Sequence, residues 1–558
     1  MGTSPVARAI PFMLLLALSA AIFLGGLGRL PLLGRDESLY AEAAREMAAS
    51  GDWVTPRVNG GAFLEKPPLY YWMAAASYRV FGVSPFAARL PAALASILSV
   101  VLVALIGARV WGRRAGLLAG LALATCLQMA IVGRMGIMDM PLAFLTILAM
   151  LAYARWVTKA GLLPAAAFGA CVGLGVLLKG AAGGIPAGIA LVDMSVRAVR
   201  GRGIRPLLTI GSVGRGVAAL VISGGVVAPW FMAMSARHGA AFSGTFLVHE
   251  HLRRIMQPMQ GHGGPFWIYF WVYVPLIAFG FFPWVVLLPA GMLSRPVEET
   301  EVAARWRVLT TVWVAVVLVA FSAISTKLPG YVTPLYPAMA LLVGAELDRR
   351  IDRPGRAPWA GVIIGGLALG VLVAMLPGLA HRYAAEANAE NAVGQLVPGV
   401  MVWMGAYLLI VVGALIALTG ATAAGVGMVT AGQVVVLGAV LIGILPVVAP
   451  YLEGGREYRL AQEAKIIEHA RRQDEAGITM LYDTRPEAVA FVLGHSVPAF
   501  GRDRQDELLA DLRAGPALLI TPVKDSGLPQ EFAVEELARA GDRVLLNVRP
   551  SSSTKEAP

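Results

Sequence analysis

The sequence predicts a polytopic α-helical membrane protein with a small C-terminal α/β domain, and three observations carry that prediction. Hydrophobic residues make up 57% of the chain and charged residues only 15%, with a mean hydropathy of +0.68, far outside the range of soluble domains. Apolar runs close to membrane-spanning length recur from Ile10 to Val448, against the roughly 20 residues that cross about 30 Å of hydrocarbon. After Pro450 the pattern changes to short apolar segments separated by turn residues and helical repeats. The expected division is a membrane domain over residues 1–449, with extramembrane loops at 30–86 and 236–265, and a soluble domain over 450–558.

The first run, Ile10–Leu27, is long enough to be retained as an anchor rather than removed as a signal peptide. The loop from Leu30 to Phe86 carries Trp53, Tyr70, Tyr71 and Trp72, aromatic types that settle at a membrane interface, and predicts short helices lying on that surface. Further runs at Leu90–Arg109, Ala115–Val132, Met140–Trp156, Leu162–Leu178, Ala181–Val196, Val213–Ser235, Phe266–Leu293, Val308–Ile324, Tyr331–Leu347, Pro358–Leu379, Val400–Leu418 and Gly425–Val448 bring the expectation to about thirteen transmembrane helices. Beyond them, Ile478–Asp483, Val497–Phe500, Ala517–Thr521 and Val544–Val548 read as strands, Pro486–Leu493 and Arg504–Leu512 as helices, and Ser551–Pro558 as a disordered tail.

The net charge of +11 would suit nucleic acid, but the basic residues lie in short loops between apolar runs, where positive-inside sorting accounts for them. Alternate loops hold Arg109, Arg113 and Arg114, Arg155 and Lys159, Arg197 to Arg205, Arg295 to Arg307, and Arg349 to Arg356, which marks that side as cytoplasmic. Cys126 and Cys171 fall inside apolar runs and predict neither a disulfide framework nor a metal site. The opposite face receives Arg35-Asp36-Glu37, Glu65-Lys66, Arg134 to Asp139, Lys179, His249 to Arg254, and Lys327. Ionisable residues of both signs gathered at one membrane face are costly unless they serve a site there.

Each of these residues has a bland alternative. Adjacent carboxylates diverge by about 100° on a helix; Asp36 is therefore the candidate general base or substrate anchor, and Glu37 the ordinary acid of a helix N-terminus. Glu65-Lys66 precedes Pro67-Pro68, so a surface ion pair competes with a role for Lys66 as a point-charge partner for phosphate. Glu65 either orients Lys66 or, with a histidine from another loop, binds a cation. Asp139 is equally an N-cap or a second site carboxylate. Lys179 and Lys327 end apolar runs, where a cation offsets the helix dipole, yet with Lys66 and Arg254 they are better explained by an anionic headgroup. His249 and His251 do not share a helical face, which argues against a strong metal motif and leaves His249 as a neighbour of Arg254.

Taken in order, Gly34-Arg35-Asp36-Glu37, Asn59-Gly60, Phe63-Leu64-Glu65-Lys66-Pro67-Pro68-Leu69, Gly133 to Pro141, Leu178-Lys179-Gly180 and Lys327-Leu328-Pro329-Gly330-Tyr331 resemble the motifs of membrane glycosyltransferases of the GT-C fold. The chain looks most like the 4-amino-4-deoxy-L-arabinose transferases that modify lipid A, relatives of the protein O-mannosyltransferases. The resemblance spans Leu30 to Pro337, with the C-terminal region matched only in outline. It implies a sugar on undecaprenyl phosphate as donor and lipid A as acceptor, on the periplasmic face of a bacterial inner membrane, with inversion at the anomeric carbon. It also implies that Lys66 and Arg254, helped by Lys327 and Tyr331, hold the donor phosphate, and that Asp36 and Asp139 serve the reaction. No obligatory metal or other cofactor and no nucleic-acid partner are expected; membrane lipids are. Two other readings stand beside this one, transfer to a protein serine or threonine or another surface glycan, and a flippase for a lipid-linked sugar.

Overall fold

The computed structural model describes residues 5–158, 161–202, 210–246, 270–294, 299–352, 359–367, 409–417, 421–448, 455–471, 478–540 and 542–551. Among them, seven helical stretches are long and apolar enough to cross a membrane, and Tyr273–Gly280 with Trp284–Leu293 makes an eighth if this pair, bent by 109°, is one broken span. This is a multi-pass membrane protein. The runs expected at Pro358–Leu379 and Val400–Leu418 lie largely outside the described residues, as does the tail beyond Ser551.

Helix α1 (Pro5–Leu24) leads into the site region, which is built by α2 (Gly34–Ser50), a two-stranded hairpin of β1 (Arg57–Val58) and β2 (Gly61–Ala62), and α3 (Leu69–Phe81). Helices α2 and α3 occupy the loop in which short helices were expected. Asn59 and Gly60 at the hairpin tip both take positive φ, 51° and 80°, the conformation that an Asn-Gly turn adopts at least cost. Helix α4 (Pro85–Val110) opens on Ser84, whose hydroxyl accepts from the Ala87 N–H, with Pro85 at the first helical position.

The run Ala115–Val132 is broken into α5 (Arg113–Ala124) and α6 (Leu127–Val132). Next come α7 (Asp139–Thr158) and α8 (Leu162–Lys179), then a turn at Gly180–Gly184 into α9 (Ile185–Arg197). A Cβ on Gly183 would lie 2.0 Å from the Gly175 carbonyl carbon, so only glycine lets the chain fold back here. The run Val213–Ser235 extends to α10 (Ile210–Ser243), kinked at Gly239. Helices α4 and α5 meet through Gly107 and Gly116: a Cβ on Gly107 would lie 2.8 Å from the Gly116 Cα, and one on Gly116 would lie 2.3 Å from the Ala104 carbonyl oxygen. Small residues at helix interfaces supply the close packing that association in lipid depends on.

The 26 residues of α4 give it a length of about 39 Å, which separates two polar ends. At the end near Val110, Arg114 pairs with Asp348 and Asp352, Arg307 with Glu299, and Arg349 and Arg350 with Glu346. At the other end lie Arg89, α2, the end of α6 and the start of α7.

The C-terminal residues form a five-stranded sheet in the order β4-β3-β5-β7-β6, from β3 (Ile478–Tyr482), β4 (Ala499–Phe500), β5 (Ala517–Pro522), β6 (Phe532–Ala540) and β7 (Arg543–Pro550). Strand β3 runs parallel to β4 and β5, and β7 antiparallel to β5 and β6. Four strands match the expected segments within two or three residues. Strand β6 and the helix Gly455–Arg471 were not expected; Glu535, Glu536 and Arg539 give β6 the look of a solvated helix, and only pairing with β7 makes it a strand. The sheet region shares one apolar core with α2 and α3, in which Phe491 packs on Tyr78 with ring centroids 6.3 Å apart.

Candidate active site

A cavity of about 620 Å³ opens where α2, the Phe63–Lys66 segment, α6, the start of α7, the end of α8 and Leu328–Tyr331 converge. Asp36, Glu65, Lys66, Asp139, Lys179 and Tyr331 all line it. Lys327 does not: its ammonium donates to the carbonyls of Phe321 at 3.0 Å and Ser322 at 2.6 Å, and to that of Ile324. The expectation of a donor-phosphate ligand at Lys327 therefore gives way to its bland alternative, a cation closing the C-terminal end of the helix Glu301–Ala323. His249 and Arg254 lie outside the described residues.

Asp139 begins α7, but it does more than open a helix. Its Oδ1 lies 2.7 Å from Lys179 Nζ, and Lys179 sits 4.9 Å above the Tyr331 ring centroid. A Cβ on Gly330 would come within 2.7 Å of the same carboxylate oxygen, so glycine at this position lets the Leu328–Tyr331 segment close over the pair. Gln128 holds that segment from α6 by donating to the Pro329 carbonyl at 3.1 Å, and Tyr273 donates to the Leu328 carbonyl at 3.2 Å. The result is a fixed ion pair under one wall, with exposed Asp36 and half-buried Lys66 on another.

Glu37 departs from the minor role expected of it. Fully buried, it accepts from the Leu33 N–H at 2.6 Å, as a helix-opening acid would. It also accepts from the Gly136 N–H at 2.6 Å and from Arg89 Nε and Nη2 at 2.7 and 2.8 Å. Arg89 in turn donates to the carbonyls of Leu27, Leu30 and Pro31. One ion pair thus ties the loop after α1, the start of α2 and the loop before α7 together. A signal for it existed, because an arginine beside a membrane-length apolar run is costly and needs a partner.

Tyr40 also lines the cavity and was not singled out from sequence. Burial holds its phenol well above the usual range, and Asp36, Tyr71, Asp139 and Tyr331 push it further the same way. Tyr40 therefore stays protonated and keeps a hydroxyl proton to donate. Arg35, Gln128 and Arg485 complete the additional polar lining. A larger cavity of about 1050 Å³ lies between α2, α3 and the helix Gly455–Arg471, but its cations are engaged elsewhere: Arg45 with Glu42 and the Gly494 carbonyl, Lys465 with the Val492 carbonyl, and Arg79 over the Trp53 ring.

Residues 32–209 match the family model described as dolichyl-phosphate-mannose-protein mannosyltransferase. Undecaprenyl phosphate-alpha-4-amino-4-deoxy-L-arabinose arabinosyl transferase from Aeromonas salmonicida is 29% identical over 378 residues, 66% of each chain. The protein of the same name from Pseudomonas paraeruginosa is 31% identical over 352 residues, 62% of this chain and 61% of that one. Each match spans slightly less than two thirds of the relative's length. The crystal structure of ArnT from Cupriavidus metallidurans bound to undecaprenyl phosphate superposes with a TM-score of 0.74, covering 98% of this chain and 100% of that one at 23% identity. The chain therefore has the GT-C fold of the ArnT structures, and the resemblance carried by its sequence motifs extends to the three-dimensional architecture.

Proposed function

We propose that this protein transfers 4-amino-4-deoxy-L-arabinose from undecaprenyl phosphate to a phosphate of lipid A, at the periplasmic face of a bacterial inner membrane. The observation that carries the proposal is the convergence of Asp36, Lys66, the Asp139–Lys179 pair and Tyr331 on one cavity, in a fold shared with a structure described as bound to undecaprenyl phosphate. The relatives named for that donor supply the sugar.

In this reading Lys66 meets the donor phosphate and stabilises it as charge builds on the departing oxygen. The Asp139–Lys179 pair holds the floor of the site while Tyr40 offers a hydroxyl hydrogen bond. The acceptor oxygen attacks the anomeric carbon from the face opposite the leaving phosphate, so the configuration inverts. A phosphate monoester is already ionised at neutral pH, its second pKa being about 6, and needs no general base. Asp36 then orients the acceptor or pairs with the ammonium group of the sugar. A monophosphate leaving group is neutralised by lysine and arginine, so no obligatory metal enters the scheme; loss of transfer on chelation, restored by a divalent ion, would overturn that part.

The match of residues 32–209 to a protein mannosyltransferase model supports one alternative, transfer of a polyprenyl-phosphate-linked sugar to a protein hydroxyl. There Asp36 would have to accept the hydroxyl proton. Purified protein reconstituted with the donor and with lipid A or a peptide acceptor tests the choice. Product on lipid A alone is expected, and product on the peptide alone would replace the proposal.

A further inference from the structure

The proposed reaction brings two phosphates to one anomeric carbon, and the role assigned to Arg485 rests on that reading. The acceptor monoester carries a charge of about −1.5 to −2 at neutral pH, beside a donor phosphate that gains charge as it leaves. Two such groups repel unless cations stand between or behind them. The cations along the described lining are Arg35, Lys66, Lys179 and Arg485.

Arg485 does not belong to the membrane-spanning part. It sits in the turn between β3 and the helix Glu487–Leu493, and that turn is fixed from several sides. Asp483 takes φ of 44°, an uncommon conformation for a residue with a side chain. Its carbonyl and the Thr484 hydroxyl accept from Arg543 Nη1 at 2.8 and 3.1 Å. The Thr484 hydroxyl donates to the Tyr482 carbonyl at 3.0 Å, and the Asp483 carboxylate accepts from Arg502 at 3.1 Å. Pro486 restricts the backbone on the other side of Arg485.

The region bearing this turn is registered against the site. Asn59 at the hairpin tip donates to the Val497 carbonyl at 2.9 Å and accepts from the Val497 N–H at 2.7 Å. Arg45 of α2 donates to the Gly494 carbonyl at 2.8 Å. Arg485 is exposed and lines the same cavity as Asp139 and Lys179. A donor phosphate tethered to a polyprenyl chain stays at the bilayer surface, whereas the polar head of the acceptor projects out of the bilayer.

We propose that Arg485 is a specificity-determining residue that binds the acceptor's phosphate, so that the C-terminal sheet region selects a phosphorylated acceptor. A guanidinium fork matches phosphate geometry in a way that an ammonium does not.

The test uses the full-length protein in proteoliposomes with undecaprenyl-phosphate aminoarabinose and lipid A. Arg485→Gln is expected to raise the KM for lipid A about tenfold or more, the range for a lost charge-assisted hydrogen bond, with the donor KM held, and Arg485→Lys to recover part of the loss. An unaltered acceptor KM, or a rise in donor KM instead, overturns the proposal. Should the wild-type protein transfer nothing to lipid A, the functional reading fails, and direct binding then decides the role of Arg485. The wild-type protein should prefer lipid A to its dephosphorylated form and Arg485→Gln should lose that preference; equal preference in both overturns it.

Discussion

Replacing Arg89 by alanine removes a buried cation whose side chain is 3% exposed and leaves Glu37 at 0% without its counter-ion. Deleting one partner of such a pair costs about 3–5 kcal/mol, because the remaining charge stays buried and uncompensated. The carbonyls of Leu27, Leu30 and Pro31 lose their donor at the same time; since all these contacts share one guanidinium, the losses do not add and the same range covers them. The expected outcome is a drop of several degrees in the apparent melting temperature of the detergent-purified protein, together with loss of transfer, because the loops on either side of Asp36 and before Asp139 lose their common tie. Arg89→Lys should recover little, since an ammonium cannot bridge a carboxylate and three carbonyls. The double variant Glu37→Gln/Arg89→Met should melt above Arg89→Ala. An Arg89→Ala protein with wild-type melting and wild-type transfer would refute the claim that this pair holds the site together.

Other consequences are equally direct. Asp36→Ala and Lys66→Ala should each abolish or sharply reduce transfer while membrane insertion and melting stay near wild type, read by activity in proteoliposomes beside thermal melting. Asn59→Ala should weaken docking of the sheet region, seen as faster proteolysis within residues 455–550, because it removes both hydrogen bonds to Val497. Burial pushes the Glu42 carboxyl up to about 7 although Arg45 pulls it back. The folded protein therefore holds that proton more tightly than the unfolded chain, and its contribution to stability is greatest below pH about 4.5 and falls as pH rises to about 7. Melting curves across that window should show the fall in the wild-type protein and a flatter profile in Glu42→Gln.

Local chemistry made much of this legible beforehand. Charge types at one membrane face pointed to Asp36, Lys66, Asp139 and Lys179, because sorting of ionisable residues against a bilayer is a strong constraint, and the family resemblance added Tyr331; all five line one cavity. What stayed hidden depends on contacts distant in sequence. Lys327 looked like a phosphate ligand until its ammonium was seen to be used by carbonyls three to six residues earlier. Glu37 looked like a helix-opening acid because its partner Arg89 lies 52 residues away, just outside the run read as a span. Arg485 could not be tied to the site at all, since only the packing of the sheet region against α2 and the hairpin brings it there. The spans around Ala115–Val132 and Phe266–Leu293 were read as continuous because hydropathy measures length and not direction; breaks at Thr125-Cys126 and Phe281 to Pro283 turn the chain within them.

Transfer of the aminopentose to lipid A is read most directly from the mass of lipid A isolated from cells with and without this gene. An added aminopentose on a phosphate of lipid A is expected only when the gene is present, and should be lost again when Asp36 is replaced by alanine. Lipid A of identical mass in both cells, with the sugar found on protein or nowhere, would contradict the proposed function.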